Sequence, residues 1–318
     1  MAKKLTVVFP SLTDTERGSI LSAAQSAGYE CVFTADPEKD TADAEIIFGY
    51  GADYLRRAKA LRWFCSFSAG VEGYLRPGYF ASPDVLVSNS SGAYGVTIAE
   101  HIVMVALELM RRQTEYSEIV ARREWVRNLK IRSLRGARIT LLGTGDIGRE
   151  AAKRLRAFDP ERIVGVNRRG ADSSGLFDGV LQVSELEKAL PETDLLIMSL
   201  PETAKTRGIL SAERLELMPR GSFIVNVGRG SAIDQPALEA LLRRGHFSGA
   251  ALDVFAEEPI PRESSLWSCP NLLITPHISG NVTLDYTQER IVGLFLEDFQ
   301  NYCAGKPLKR LVRREIGY

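Results

Sequence analysis

The run Gly143-Thr144-Gly145-Asp146-Ile147-Gly148 limits this chain's folding more than any other stretch. It lies between a strand-like segment, Arg138-Ile139-Thr140-Leu141-Leu142, and a helix-prone one, Arg149-Glu150-Ala151-Ala152-Lys153-Arg154-Leu155. A strand that must turn at once into a helix needs Gly143 for the tight turn and Gly148 for close helix–strand packing. Gly145 leaves room for a ligand's phosphates to approach the backbone, and the helix N-terminus offers free N–H groups to an anion. Glycine-rich turns also serve packing alone. Here strand, loop and helix agree, so Gly143, Thr144, Gly145, Asp146, Ile147 and Gly148 are read as a pyrophosphate loop for a dinucleotide.

The next strand-like run, Arg162-Ile163-Val164-Gly165-Val166, ends in Asn167-Arg168-Arg169-Gly170. A site for NAD usually carries Asp or Glu about 20 residues beyond the glycines, bonded to the ribose 2′-hydroxyl. No acid stands there. Asn167 can donate a hydrogen bond and Arg168 or Arg169 can pair with a 2′-phosphate, so NADP(H) is the preferred cofactor and NAD(H) a possible one. Two arginines on an exposed turn are also ordinary solvated charge.

A chain of 318 residues exceeds what one core usually supports, and two domains are expected. Strand candidates Leu5–Phe9, Glu30–Thr34, Glu45–Phe48 and Arg62–Phe67 alternate with helical patterns, the first being Thr13 to Ala27, which Gly28 would stop. The stretch Val96–Met110 is apolar nearly all round and predicts a buried helix, bridging domains or packing on a second subunit. Six further strands, near Arg138–Leu142, Ile163–Val166, Leu195–Ser199, Phe223–Val227, Ala250–Val254 and Leu272–Thr275, predict a doubly wound sheet. A last helical stretch, Val282–Tyr302, leaves no room for another domain and is expected to return to the first. The expectation is an α/β protein of two doubly wound parallel-sheet domains: a Rossmann cofactor domain over 96–280, and a discontinuous flavodoxin-like substrate domain over 1–95 and 281–318. A ligand cleft between them is expected.

Composition narrows the function classes. Lys plus Arg equals Asp plus Glu at 40 each, which removes the global pull of a nucleic-acid or anionic-membrane binder. No run approaches the roughly 20 apolar residues of a membrane span. The apolar stretch before Pro10 is too short for a secretory signal, so a cytoplasmic protein is expected. Cys31, Cys65, Cys269 and Cys303 have no metal-site or redox-pair spacing; buried reduced thiols and no metal are expected.

Three more strand ends carry polar clusters: Asn226-Val227-Gly228-Arg229-Gly230, Asp253-Val254-Phe255-Ala256-Glu257-Glu258-Pro259, and Thr275-Pro276-His277-Ile278-Ser279-Gly280. Ligands bind at the carboxyl ends of strands in open α/β sheets. With Leu200-Pro201-Glu202-Thr203, Leu266-Trp267, Ser68-Ala69-Gly70-Val71-Glu72 and Ile98-Ala99-Glu100-His101, these motifs resemble the D-2-hydroxyacid dehydrogenase family, in family order from about residue 66 to 280.

The resemblance implies a small 2-keto acid reduced to the D-2-hydroxy acid, of glyoxylate or hydroxypyruvate size, in a homodimer. Arg229 would hold the substrate carboxylate and polarise the keto oxygen. His277 would be the acid–base group, and Glu258 would bond its other ring nitrogen and favour the protonated imidazole. Ser68, Ala69, Gly70 and Val71 would meet the substrate, Gly70 and Val71 through backbone N–H groups from the opposite domain. Asp253 would receive the nicotinamide carboxamide, with Leu200, Pro201, Val227, Gly228 and Gly280 completing the cofactor's surroundings. His101, in an apolar helix, reads as a core histidine, and His246 as an exposed helix-end residue. Trp267 could shape a pocket or simply pack. The basic turn departs from the NAD-binding pattern, and Glu258 departs from the glutamine of formate dehydrogenases. A nucleotide-sensing corepressor on the same fold, and oxidation of another small donor such as phosphite, are the competing readings.

Overall fold

The first helix shows how directly local sequence becomes structure. Thr13 caps Asp14–Ser26 by accepting the Glu16 N–H at 3.3 Å, and the Glu16 carboxylate accepts the Thr13 N–H at 2.8 Å. This reciprocal box satisfies two donors the helix cannot. Gly28, at φ +73°, turns the chain back into a strand.

The computed structural model describes residues 3–9, 11–315 and 317. The chain divides into two units, Met1–Tyr94 with Val282–Tyr318, and Gly95–Asn281. The first is built on β1 (Lys3–Val8), β2 (Tyr29–Phe33), β3 (Ile46–Gly49), β4 (Trp63–Ser66) and β5 (Leu86–Ser88). Its all-parallel order β2-β1-β3-β4-β5 is the flavodoxin-like winding. Leu5 pairs with Cys31 on one side and Ile46 on the other. Both faces are covered, so strands β3 and β4 are buried throughout, as parallel strands must be. One cover is the helix Asp285–Cys303, whose Phe295 stacks on Phe48 at 4.1 Å and lies 5.7 Å from Trp63.

The second unit carries β6 (Arg138–Leu142), β7 (Arg162–Asn167), β8 (Gly179–Gln182), β9 (Leu195–Met198), β10 (Phe223–Asn226), β11 (Gly249–Leu252) and β12 (Leu272–Ile274). All are parallel, in the order β12-β11-β10-β9-β6-β7-β8. The sequence predicts six of these strands. Strand β8 escapes it because Gly179-Val180-Leu181-Gln182 has two apolar residues and sits at a half-exposed edge. With β8 in place, the two wound halves are β6-β7-β8 and β9-β10-β11, β12 is an added edge, and the winding reverses between β6 and β9.

The apolar stretch forms the helix Gly95–Arg111. Among the described residues no helix is long and apolar enough to cross a membrane. All four cysteines are free. Cys65 and Cys269 are buried, but Cys31 is half-buried and Cys303 exposed at the end of its helix, against the expectation of four buried thiols.

Candidate active site

Polar turns collect along the carboxyl edge of the seven-stranded sheet. After β6, Gly143 adopts φ +111° and donates its N–H to Val166 O at 2.9 Å, and the helix Asp146–Leu155 starts from Gly145. A Cβ on Gly148 would overlap the Gly143 carbonyl, and one on Gly143 would lie 2.8 Å from Ser199 Oγ. Around Gly145 nothing lies within 4 Å of the equivalent position, so the loop is tight beneath and open above. That is the cradle a pyrophosphate needs. Thr144 is buried, Gly145 and Asp146 exposed, and Ile147 half-buried.

Arg168 and Arg169 are exposed on the turn after β7. Asn167 is engaged within the turn. Its Oδ1 accepts the N–H groups of Arg169 and Gly170, both at 2.8 Å, and its Nδ2 donates to Thr144 Oγ1 at 2.7 Å and Ala171 O at 2.9 Å. Both amide hydrogens are therefore used, and Asn167 ties the basic turn to the glycine loop instead of reaching outward. Just beyond, Asp172 pairs with Arg149 of the glycine-loop helix at 2.7 Å.

After β9 and β10 two loops lock together. A Cβ on Gly228 would stand 2.7 Å from both Leu200 N and Leu200 O, and one on Gly230 would overlap Phe255 backbone. Leu200 and Val227 are buried, and Pro201 O accepts the Thr206 hydroxyl at 2.7 Å. Asn226, at the end of β10, accepts the Gly228 N–H at 3.0 Å and donates to Arg229 O at 2.9 Å. These contacts fix the backbone that presents Arg229.

His277 Nδ1 lies 2.7 Å from Glu258 Oε2, while Glu258 Oε1 accepts the Phe255 N–H at 2.8 Å. With Nδ1 engaged, the ring presents Nε2. The side chain is half exposed, so that nitrogen can exchange protons with a ligand or water. His277 adopts φ +54°, a left-handed conformation that costs a non-glycine residue about 1–3 kcal/mol unless its surroundings enforce it.

Asp253 does the enforcing. Its Oδ1 accepts the Thr275 hydroxyl at 2.6 Å and the Ile278 N–H at 2.9 Å; Oδ2 accepts the Ser279 N–H at 3.0 Å, and the Ser279 hydroxyl also bonds the carboxylate. The Asp253 carbonyl accepts the His277 N–H at 2.9 Å. Burial disfavours the charged form, but the bonds from Ser279, Thr275 and Ile278 outweigh it and hold the carboxyl below the usual range. A carboxylate offers about four acceptor sites. Thr275, Ile278 and Ser279 donate to these within the turn. Gly280 follows this turn, half-buried.

In the first unit, Ser68-Ala69-Gly70-Val71 follows β4. Ser68 donates its N–H to Ser66 Oγ and accepts from Ser90 N, and Ala69 O accepts from Asn89 Nδ2 at 2.8 Å. Asn89 thus braces this segment, a role the sequence does not show, since nothing local distinguishes Asn89 from any loop amide. His246, expected at the surface, is buried with Nε2 2.9 Å from Met218 O. It closes the helix end inward because Phe247 pulls the chain into the core. Trp267 is exposed and donates to Pro261 O.

Comparison with known proteins agrees with this geometry. The family model for the D-isomer specific 2-hydroxyacid dehydrogenase NAD binding domain matches residues 103–279. The glyoxylate/hydroxypyruvate reductase B of Erwinia tasmaniensis is 30% identical over 269 residues, 82% of this chain and 80% of that protein. Among solved structures, a D-isomer specific 2-hydroxyacid dehydrogenase family protein from Aeromonas salmonicida superposes with a TM-score of 0.87 at 30% identity, covering 99% of this chain and 100% of the other. An NADPH-dependent glyoxylate/hydroxypyruvate reductase from Sinorhizobium meliloti, in complex with NADP and sulfate, gives 0.81 at 27% identity, covering 99% and 100%.

Proposed function

Since the chain belongs to the D-isomer specific 2-hydroxyacid dehydrogenase family, we propose that it reduces a glyoxylate- or hydroxypyruvate-sized 2-keto acid to the D-2-hydroxy acid, with NADPH preferred over NADH. It is an NAD(P)-dependent oxidoreductase by that membership. The observation that carries the rest is the His277–Glu258 pair at 2.7 Å, held on the same sheet edge as Arg229 and the glycine loop.

The second unit is the cofactor domain in this reading and the first the substrate domain. The glycine loop suits the pyrophosphate, with Gly143 and Gly148 setting the turn and the N–H groups at Asp146 and Ile147 facing the anion. Arg168 and Arg169 meet the 2′-phosphate, on a turn that Asn167 keeps in shape and free of negative charge. Leu200, Pro201, Val227, Gly228 and Gly280 form the apolar and backbone wall of the site. The nicotinamide, when bound, supplies the hydride.

Arg229 holds the substrate carboxylate through its planar fork and polarises the keto oxygen, a geometry lysine cannot copy. Ser68, Ala69, Gly70 and Val71 of the first unit are proposed as substrate-contacting residues on the strength of the family motif. As hydride reaches C2, His277 passes the proton on Nε2 to the oxygen that is gaining charge, and the imidazole regains one from water. Glu258 keeps Nδ1–H engaged, so the ring does not rotate away and its positive form has a counter-ion.

We also propose a cytoplasmic homodimer. Four free thiols suit a reducing compartment, and the helix Gly95–Arg111 and its neighbours expose Met104 and Trp125. Initial rates of NADPH and NADH oxidation with glyoxylate, hydroxypyruvate, pyruvate and bulkier 2-keto acids test the activity. Turnover favouring NADPH is expected, and no turnover with either nucleotide overturns the proposal. Light scattering that returns a monomer overturns the dimer.

A further inference from the structure

The chemistry above gives no task to His101 on the helix Gly95–Arg111. His101 has the sequence surroundings of a core histidine, yet its Nε2 lies 3.4 Å from Thr275 Oγ1. Thr275 Oγ1 is in turn 2.6 Å from Asp253 Oδ1. A hydroxyl has one hydrogen, and an ionised carboxylate can only accept. The Thr275 hydrogen is therefore spent on Asp253, and the bond from His101 must run the other way, with Nε2–H donating to a Thr275 lone pair. Burial holds His101 below the ordinary imidazole range against the pull of Asp253 and Glu108, so the ring is neutral near pH 7 and has one proton to place.

We propose that His101 is a positioning residue for the reaction: its Nε2–H, acting through Thr275 and Asp253, holds the 275–279 turn that keeps His277 against Glu258. The donations converge on the Asp253 carboxylate. His101 donates to Thr275, Thr275 and Ile278 donate to Asp253 Oδ1, and Ser279 donates to Oδ2. Without the donor on His101, the Thr275 hydroxyl loses the partner that fixes its second hydrogen-bonding direction, and the turn loses its link to the helix. A histidine that merely filled space would tolerate any side chain of similar size. One that donates requires an N–H at the Nε2 position, which a glutamine amide supplies and a leucine does not.

The kinetic part of this inference rests on the proposed keto acid reduction, and the tautomer does not. In the wild-type enzyme labelled with 15N-histidine, NMR should place the neutral His101 proton on Nε2; a proton on Nδ1 overturns the proposal. In His101→Leu, kcat with NADPH and hydroxypyruvate should fall roughly fivefold, the worth of one neutral hydrogen bond, with both KM values little changed. His101→Gln should restore kcat. Equal loss in the two variants, or a loss in KM instead of kcat, overturns it. Amide exchange at Ile278 and Ser279 should quicken in the leucine variant and stay slow in the glutamine variant, and equal exchange in both again overturns it. Should His101→Leu fail to fold, Thr275→Val must show the same loss of kcat and the same faster exchange. If no 2-keto acid is reduced at all, the proposed function fails, and the tautomer and the exchange rates still decide the role of His101.

Discussion

Two turns on the same sheet edge are built alike and charged differently. After β7, the neutral Asn167 side chain accepts two successive backbone N–H groups, those of Arg169 and Gly170. After β12, the Asp253 carboxylate accepts two successive N–H groups, those of Ile278 and Ser279. The first turn carries arginines and suits an anion, and a carboxylate brace there would repel what it is meant to bind. The second carries the imidazole that is to pass on a proton, and a negative brace there meets no like charge. The difference teaches that the brace's charge follows the charge of the group each turn serves. The cost differs as well: Asn167 sits on an exposed turn, while Asp253 is buried and keeps its charge only because its acceptor sites are filled.

The comparison can be broken first at the group the second turn presents. His277→Ala should lower kcat/KM about 10²–10⁴-fold, the usual worth of a positioned acid–base group, with nucleotide binding by fluorescence largely kept. Full turnover in that variant would remove His277 from the chemistry. Asp253→Asn leaves the shape and removes the charge, and its amide must turn hydrogens toward donors. A fall in kcat of roughly 10–100-fold is expected, since unsatisfied buried groups cost about 1–3 kcal/mol. An unchanged kcat would mean the turn holds itself.

The mirror experiment is Asn167→Asp. It keeps the acceptor for Arg169 and Gly170, loses the bonds to Thr144 and Ala171, and adds charge beside the 2′-phosphate site. KM for NADPH should rise roughly tenfold, equivalent to about 1.4 kcal/mol, with a smaller change for NADH. Parallel changes for both nucleotides would show that the turn does not discriminate between them.

The smallest expected effect lies at the opposite end of β6. There the Asp194 carboxylate, though partly buried, is held below its usual range by the Arg138 guanidinium and N–H. Stability from a lowered carboxylate is complete above its unfolded value, near 3.9, and is lost as pH falls through the folded one. Asp194→Asn should therefore cost about 1 kcal/mol at pH 7 by thermal melting and lose that deficit in acid, with kcat unaltered. A deficit that does not shrink at all as the pH falls would point to packing instead of charge.

Legibility in the sequence followed how local each cause is. The glycine loop could be read because strand, turn and helix are contiguous and each glycine answers a close approach of the backbone to its neighbours. Strand β8 could not, because two apolar residues at an edge make no pattern. His277 and Glu258 stand 19 positions apart, and only the family motif joined them before their 2.7 Å contact was seen. What the Asn167 amide bonds is not legible, since it depends on how residues 169–171 curl back over it. His101 shows the same limit from the other side: its helix looks like core by periodicity, and the contact with Thr275 spans 174 positions.

The helix Asp285–Cys303 has a consequence for how the protein is made. Phe295 stacks on Phe48, and its helix closes one face of a sheet whose strands all lie before residue 89. On the ribosome, those five strands emerge before that cover, and one face waits open while nearly two hundred further residues are translated. The unit Gly95–Asn281 has no such debt to later sequence and can finish as soon as it clears the exit tunnel. Synthesis order and completion order are thus reversed, and the first-made strands are the part of the nascent chain most in need of shielding from self-association.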